Sequence, residues 1–227
     1  LIKLLEVIVN NLQDALEAQA GGADRLEVVR DLEQGGLTPD LELVAEIVAA
    51  VRIPVRAMVR ENGSMFLAST AELDVLCVQA QQFNNLGVDG LVAGFILNGK
   101  VDLKSMRAIT AAAPDVKVTF HRAFDELAEP ITAIADLKTI PQVDRILTVG
   151  GTGTWSVRKR HLHQWQDSAA PQITILAGAG LVEAEIADVS RDPQIKEMHV
   201  GRAARIPQST AGKVSRLLVA QLKGLSA

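Results

Sequence analysis

Val116-Lys117-Val118-Thr119-Phe120-His121-Arg122-Ala123-Phe124-Asp125 joins a strand to a chemically loaded exit. The β-branched and aromatic residues up to Phe120 have the composition of a buried strand. A histidine, an arginine and an aspartate follow, and a helical pattern opens near Pro130 and runs to Lys138. Strand, polar exit and helix make one unit of an α/β protein, with its chemistry where the strand ends.

The same unit recurs on both sides. Strands are expected at Leu4 to Val9, Arg25 to Val29, Pro54 to Val59 and Asp89 to Ala93, and again at Asp144 to Val149, Ile173 to Ala177 and Ile195 to Val200. Helical stripes lie between them. The first opens near Asn11 and is stopped by Gly21-Gly22, and Thr38-Pro39 is expected to cap the second and supply its first-turn proline. Leu73, Leu76, Cys77, Ala80 and Phe83 mark the third, and later helices are expected at Asp102 to Ala113, Thr154 to Gln166, Val182 to Val189 and Ala211 to Leu222. Eight strand–helix units in 227 residues require parallel strands and match a closed (β/α)8 TIM barrel, read as one domain over residues 1–227. The connection from Arg60 to Ser69 is the longest and is a candidate lid.

A weak repeat agrees with that count. Ala23-Asp24-Arg25, Val88-Asp89-Gly90 and Val143-Asp144-Arg145 each enter an even-numbered strand through an aspartate. Aspartate suits such turns by bonding its own backbone, so these positions, at the bottom of a barrel, are read as structural.

Composition excludes several classes. With 48% hydrophobic and 22% charged residues the chain can bury a large core. A net charge of -4 leaves no basic footprint for nucleic acid or an anionic membrane. Arg158-Lys159-Arg160-His161 reads as a solvated helix face, with His161 and His163 on the surface. A single cysteine, Cys77, excludes an internal disulfide framework and fits a reducing compartment. Without a long apolar span or an opening leader, a cytoplasmic protein is expected.

In such a barrel the functional face is the C-terminal end of the strands. Glu6 and Glu27 sit in apolar strands one and two, where a carboxylate is costly unless paired or used. If both point inward they meet Arg56, Arg60, His121 or His199 in a polar pocket. His121 ends the fifth strand, where an imidazole can serve as acid, base or metal ligand, with Asp125 placed to orient it or Arg122. Glu6, Glu27, His121 and Asp125 are therefore the candidate catalytic residues. Gly150 and Gly151 follow the sixth strand, Gly178 and Gly180 the seventh, and Gly201 the eighth, after His199. Glycines at strand exits let backbone amides approach an anion. Together with Arg60 and Arg122, these residues are the candidate ligand-binding set for a small anion.

Leu5-Glu6-Val7, Gly21-Gly22-Ala23-Asp24-Arg25-Leu26-Glu27, Gly35-Gly36-Leu37-Thr38-Pro39, Thr119 to Asp125, Leu147 to Gly151 and Gly178-Ala179-Gly180 together resemble the CutC family over nearly the whole chain. The resemblance implies a TIM barrel, a copper homeostasis role with copper as the bound ion, and a dimer or larger homo-oligomer. That role is linked to cysteines near the ends of the first two strands, positions that here read Ile8 and Val29. Cu(I) favours thiolate or thioether donors, which neither side chain offers. The third exit, Arg60-Glu61-Asn62-Gly63-Ser64-Met65-Phe66, departs from the family pattern at Asn62 and Met65, and Val200 stands where the family usually has serine.

Three functions follow as expectations. One is the copper role implied by the resemblance. Another is an enzyme acting on a small phosphorylated or carboxylated compound, with Glu6 or Glu27 and His121 exchanging protons; in a variant of it Glu6, Glu27, His121 and His199 hold zinc or manganese. The last is a non-catalytic oligomeric scaffold.

Overall fold

The computed structural model describes residues 4–224. Eight parallel strands, β1 (Leu4–Val9), β2 (Arg25–Val28), β3 (Val55–Met58), β4 (Gly90–Ala93), β5 (Lys117–Phe120), β6 (Val143–Thr148), β7 (Thr174–Ala177) and β8 (Glu197–Val200), pair in chain order and close when β8 meets β1. Eight helices surround them: α1 (Leu12–Ala20), α2 (Leu41–Ala50), α3 (Thr70–Leu86), α4 (Leu103–Ala112), α5 (Pro130–Leu137), α6 (Trp155–Ala169), α7 (Glu183–Ser190) and α8 (Arg216–Gly224). Among the described residues no helix is long and apolar enough to cross a membrane.

Strand side chains alternate, so each strand feeds two environments. Leu5, Val7, Leu26, Val28, Ala57, Leu91, Val118, Phe120, Ile146, Ile175 and Met198 belong to the apolar layer shared with the helices. The other parity faces the barrel's inside. There Ile8, Val29, Met58 and Val92 form a separate apolar cluster, and the remaining inward positions are largely charged.

Some boundaries differ from the sequence reading for local reasons. Helix α2 starts at Leu41, after Asp40, and Thr38 caps nothing. The Thr38 hydroxyl accepts the Arg60 N–H at 2.8 Å and donates to the Arg60 carbonyl at 3.0 Å, tying two strand exits together. Residues 205–214 form a ribbon, Arg205–Ile206 with Lys213–Val214, so α8 begins at Arg216 rather than Ala211. A second ribbon after β4 turns at Asn98-Gly99, both at positive φ, the pair a tight hairpin selects.

The aspartates before the even strands reach beyond their own backbone. Asp24 accepts the Leu5 N–H at 2.6 Å, while Asp89 and Asp144 grip the Arg56 guanidinium. The Arg158 to His163 segment is likewise more engaged than a solvated face. Arg158 pairs with Glu185, Lys159 lies within 3.0 Å of Asp188 and Asp192, and His163 Nε2 is 2.9 Å from Asp192. His161 donates to the Gly150 carbonyl at 2.9 Å and stacks on Trp165. The Arg158, Lys159 and His163 contacts bind α6 to α7 and the turn after it, and those of His161 hold α6 to the β6 exit.

Candidate functional site

At the C-terminal ends of the strands the barrel opens into a cavity of about 560 Å³. Its polar lining includes Glu27, Arg60, His121 and His199, with Arg122, Asp125 and Arg202 around them and Ile8 and Met58 as an apolar wall. Residues from β1, β2, β3, β5 and β8 meet because the inward parity stacks them.

Glu6 and Glu27 both point inward, and the structure gives them different tasks. Glu6 is fully buried and does not line the cavity. One carboxylate oxygen pairs with Arg25 and the other accepts from His199 Nδ1 at 2.8 Å. Burial alone would raise its pKa, but Arg25 and His199 outweigh that and hold the carboxyl well below the usual range. Glu27 lies one step higher. Its Oε2 is 3.5 Å from His199 Nδ1 and is buried with no hydrogen-bond partner among the described residues. Burial pushes this carboxyl up to about 7, with the His199 imidazole pulling the other way. His199 in turn is pulled down by burial and pushed up, on balance, by Glu27 and Glu6. A charged His199 thus favours the Glu27 carboxylate, and the carboxylate favours the charged imidazole.

His121 is fixed as a donor. Its Nδ1 accepts the Ala123 N–H at 3.1 Å, so the proton of the neutral ring sits on Nε2. Nε2 is buried and has no hydrogen-bond partner among the described residues. Burial, then the nearby Arg60 charge, lowers its pKa to about 3, so the imidazole stays neutral across the physiological range.

Arg60 is a buried cation with no carboxylate paired to it among the described residues. Nε donates to Asn62 O at 2.8 Å, and Nη2 to Gly63 O at 2.8 Å and Gln34 O at 3.3 Å. Nη1 has no partner among the described hydrogen bonds. Burial and the like charge of Arg122 pull this guanidinium below its ordinary value. Arg60 also organises the candidate lid, since its bonds pin Asn62 and Gly63, while the Ile96 N–H donates to Met65 O at 2.9 Å.

Two sets of expected residues take other roles. Asp125 orients neither His121 nor Arg122; it accepts from the Thr148 hydroxyl and from the Val149 N–H at 3.3 Å, which fixes the β6 exit. Gly150, Gly151 and Gly178 do not line the cavity, whereas Gly180 and Gly201 do. Gly178 makes room: a Cβ there would lie 2.7 Å from His199 Cβ. Gly94 serves His121 in the same way, at 2.7 Å from Nδ1, and Gly201 faces Ile8 at 3.1 Å.

Sequence reasoning passed over the charges below the pocket. Arg25 Nη2 donates to Glu197 at 3.2 Å, Arg145 grips Glu197 with two nitrogens at 2.6 and 2.9 Å, and Arg56 bonds Thr119 and Asp144 at 2.6 and 2.8 Å. Arg56 thus belongs to the barrel's floor. The signal was the parity of Arg25-x-Glu27, Arg56-x-Met58-x-Arg60 and Glu197-x-His199, which sends every one of these charges inward.

Donor atoms of Glu6, Glu27 and His199 lie within 4.8 Å of one another, and His121 is not among them. Both Glu6 oxygens are already engaged, and the Arg25 charge beside them opposes a divalent cation. For Cu(I) the cavity offers no thiolate among the described residues, only the thioethers of Met58 and Met65. Ile8, Val29 and Met58 form the apolar cluster, and Cys77 sits half-buried on α3 outside the barrel, with burial pushing its thiol up.

A model of the CutC family matches residues 3–204. A human protein named copper homeostasis protein cutC homolog is 30% identical over 224 residues, covering 98% of this chain and 81% of its own. A family protein CutC from Xanthomonas axonopodis pv. citri (strain 306) is 35% identical over 208 residues, covering 89% and 86%. The solved structure of the putative copper homeostasis protein CutC from Streptococcus agalactiae has a TM-score of 0.80 at 22% identity, covering 88% of this chain and 98% of that one. Monomers of the dimeric phosphoribosylanthranilate isomerase of Thermotoga maritima share the fold, with a TM-score of 0.65 at 12% identity over 100% of this chain and 98% of that one.

Proposed function

The chain belongs to the CutC family, and from that premise we propose that its barrel mouth is an acid–base site for a small metabolite bearing a carboxylate or phosphate. One observation carries the reading: two buried polar atoms, Glu27 Oε2 and His121 Nε2, on residues lining one cavity, have no hydrogen-bond partner among the described residues. An unpaired buried acceptor and an unpaired buried donor each cost stability, and a ligand that meets both recovers it. Arg60, whose Nη1 is uncommitted, and Arg122 beside it supply the charge such a ligand would neutralise.

Copper homeostasis is the role in the names of the relatives. In this chain the donors for a thiolate copper site are missing where the resemblance puts them, at Ile8 and Val29, and the one thiol lies outside the barrel. The donor set does not fit a thiolate Cu(I) site.

Thermal unfolding with inorganic phosphate, pyruvate and dihydroxyacetone phosphate tests the proposal. At least one is expected to raise Tm, since a ligand of the folded state stabilises it by mass action, and Arg60→Met is expected to erase the shift. A set of small anions that leaves Tm unmoved would overturn the reading, as would tight, stoichiometric Cu(I) binding that survives Cys77→Ser.

A further inference from the structure

The pocket holds one polar atom that can only donate and another that can switch between accepting and donating. His121 Nε2–H is locked as a donor because Nδ1 is occupied by the Ala123 N–H. Glu27 Oε2 is the switch: as a carboxylate it accepts and as a carboxylic acid it donates, with His199 Nδ1 3.5 Å away. Glu6, at 2.8 Å from the same nitrogen, and Arg25 behind it fix that imidazole in position. Among the described residues lining the cavity none is a lysine, cysteine or serine, so neither a Schiff base nor a thiolate or serine nucleophile is on offer. What remains is the movement of protons.

We infer that the site, read as above, acts on carbonyl compounds that carry a C–H beside the carbonyl and an anionic group, and that it catalyses their enolisation with Glu27 as base and His121 as donor to the carbonyl oxygen. The step balances within the pocket. The Glu27 carboxylate takes the proton from carbon; the C–H electron pair forms the carbon–carbon double bond; the carbonyl π pair moves onto oxygen, where it meets His121 Nε2–H. Glu27 then returns its proton to the same carbon, giving exchange; where that carbon bears a hydroxyl, return to the former carbonyl carbon, with the hydroxyl proton passing to the first oxygen, gives isomerisation, and no oxidant or further reactant is consumed.

A neutral imidazole suits this role better than a charged one. Its N–H is a weak acid, close to an enediol in acidity, so its bond to oxygen strengthens most as the enolate charge develops. Arg60 and Arg122 hold the remote anionic group and so position the carbon. The apolar wall of Ile8 and Met58 keeps water from a bare carboxylate, which makes Glu27 a stronger base than it would be in solvent.

Proton exchange into carbon tests this directly. The protein is incubated in deuterated buffer at neutral pH with dihydroxyacetone phosphate, hydroxypyruvate or pyruvate, and loss of the C–H signal is followed by proton NMR against a protein-free control. At least one compound is expected to exchange about a hundredfold faster than the control or more. Glu27→Gln is expected to bring it to the control rate, and His121→Gln to slow it at least about tenfold while Tm still responds to the compound. A compound that raises Tm but does not exchange with the unaltered protein would overturn the enolisation step and leave the anion-site reading standing. If no compound shifts Tm, both fall. Exchange undiminished in a folded Glu27→Gln protein would remove Glu27 as the base, and the unaltered protein's own exchange decides the question if either variant does not fold.

Discussion

The two ends of the barrel interior are built from the same strands and the same parity, yet they treat buried charge in opposite ways. At the floor Arg25, Arg56 and Arg145 meet Glu6, Glu197, Asp144 and Asp89, and every carboxylate there has an arginine. At the mouth Glu27 Oε2 and His121 Nε2 have no partner among the described residues, and Arg60 is held by backbone carbonyls alone, with Nη1 left over. Satisfaction at one end supplies the rigidity against which incompleteness at the other can be held. The difference teaches where to look for work: buried groups that have found partners inside the fold hold it together, and those that have not are waiting for something else.

The contrast breaks if substitutions at the two ends cost the same. Arg25→Leu leaves the Glu6 carboxylate buried without its arginine and should cost about 3–5 kcal/mol, read as a lower urea midpoint. Gly178→Ala places a Cβ 2.7 Å from His199 Cβ and 2.9 Å from Leu147 Cδ1, so the floor stays intact while the mouth is crowded. A loss of about 1–3 kcal/mol is expected, together with a weaker ligand-induced rise in Tm.

His121→Gln should act through pH. The folded-state pKa of His121 is lowered from its ordinary 6.5 to about 3, so the folded protein resists the proton that the unfolded chain accepts. Its contribution is present above about 6.5 and is lost as pH falls toward 3, and the variant should unfold at a lower pH than the parent in an acid titration. Glu27→Gln has the smallest effect and the opposite slope. With the folded pKa raised from 4.5 to about 7, the contribution is present below 4.5 and declines as pH rises to 7, so the variant should show a flatter stability profile across that window. A steep loss of stability in either mouth variant at neutral pH would erase the distinction between the two ends.

The barrel was legible because eight hydrophobic alternations, each followed by a helical stripe, admit few other closures; β1 matches its expected span residue for residue. Local chemistry was harder to read. Thr38-Pro39 has the look of a helix cap, but the hydroxyl is taken by Arg60, a residue far along the chain that only the closed sheet brings near. Glu6 and Glu27 stood out as carboxylates in apolar strands, and nothing in their local sequence separates the one that is tied to Arg25 from the one that is left open. That difference lies in register: Glu6 sits opposite Arg25, whereas Glu27 sits a step higher, opposite Ile8. Asp125 was drawn to His121 by nearness in sequence, and the turn between them carries it to Thr148 instead.

Gly94 and Gly178 give up their side-chain space to His121 and His199. Each histidine and its glycine therefore behave as one inherited unit of volume. A methyl group gained at Gly178 should be forgiven by a smaller residue at His199, and neither change should be tolerated by halves. In a cycle of the single and double substitutions the two effects would be strongly non-additive. Such pairs would drift together between related sequences, and redesign of this mouth would have to move both members at once.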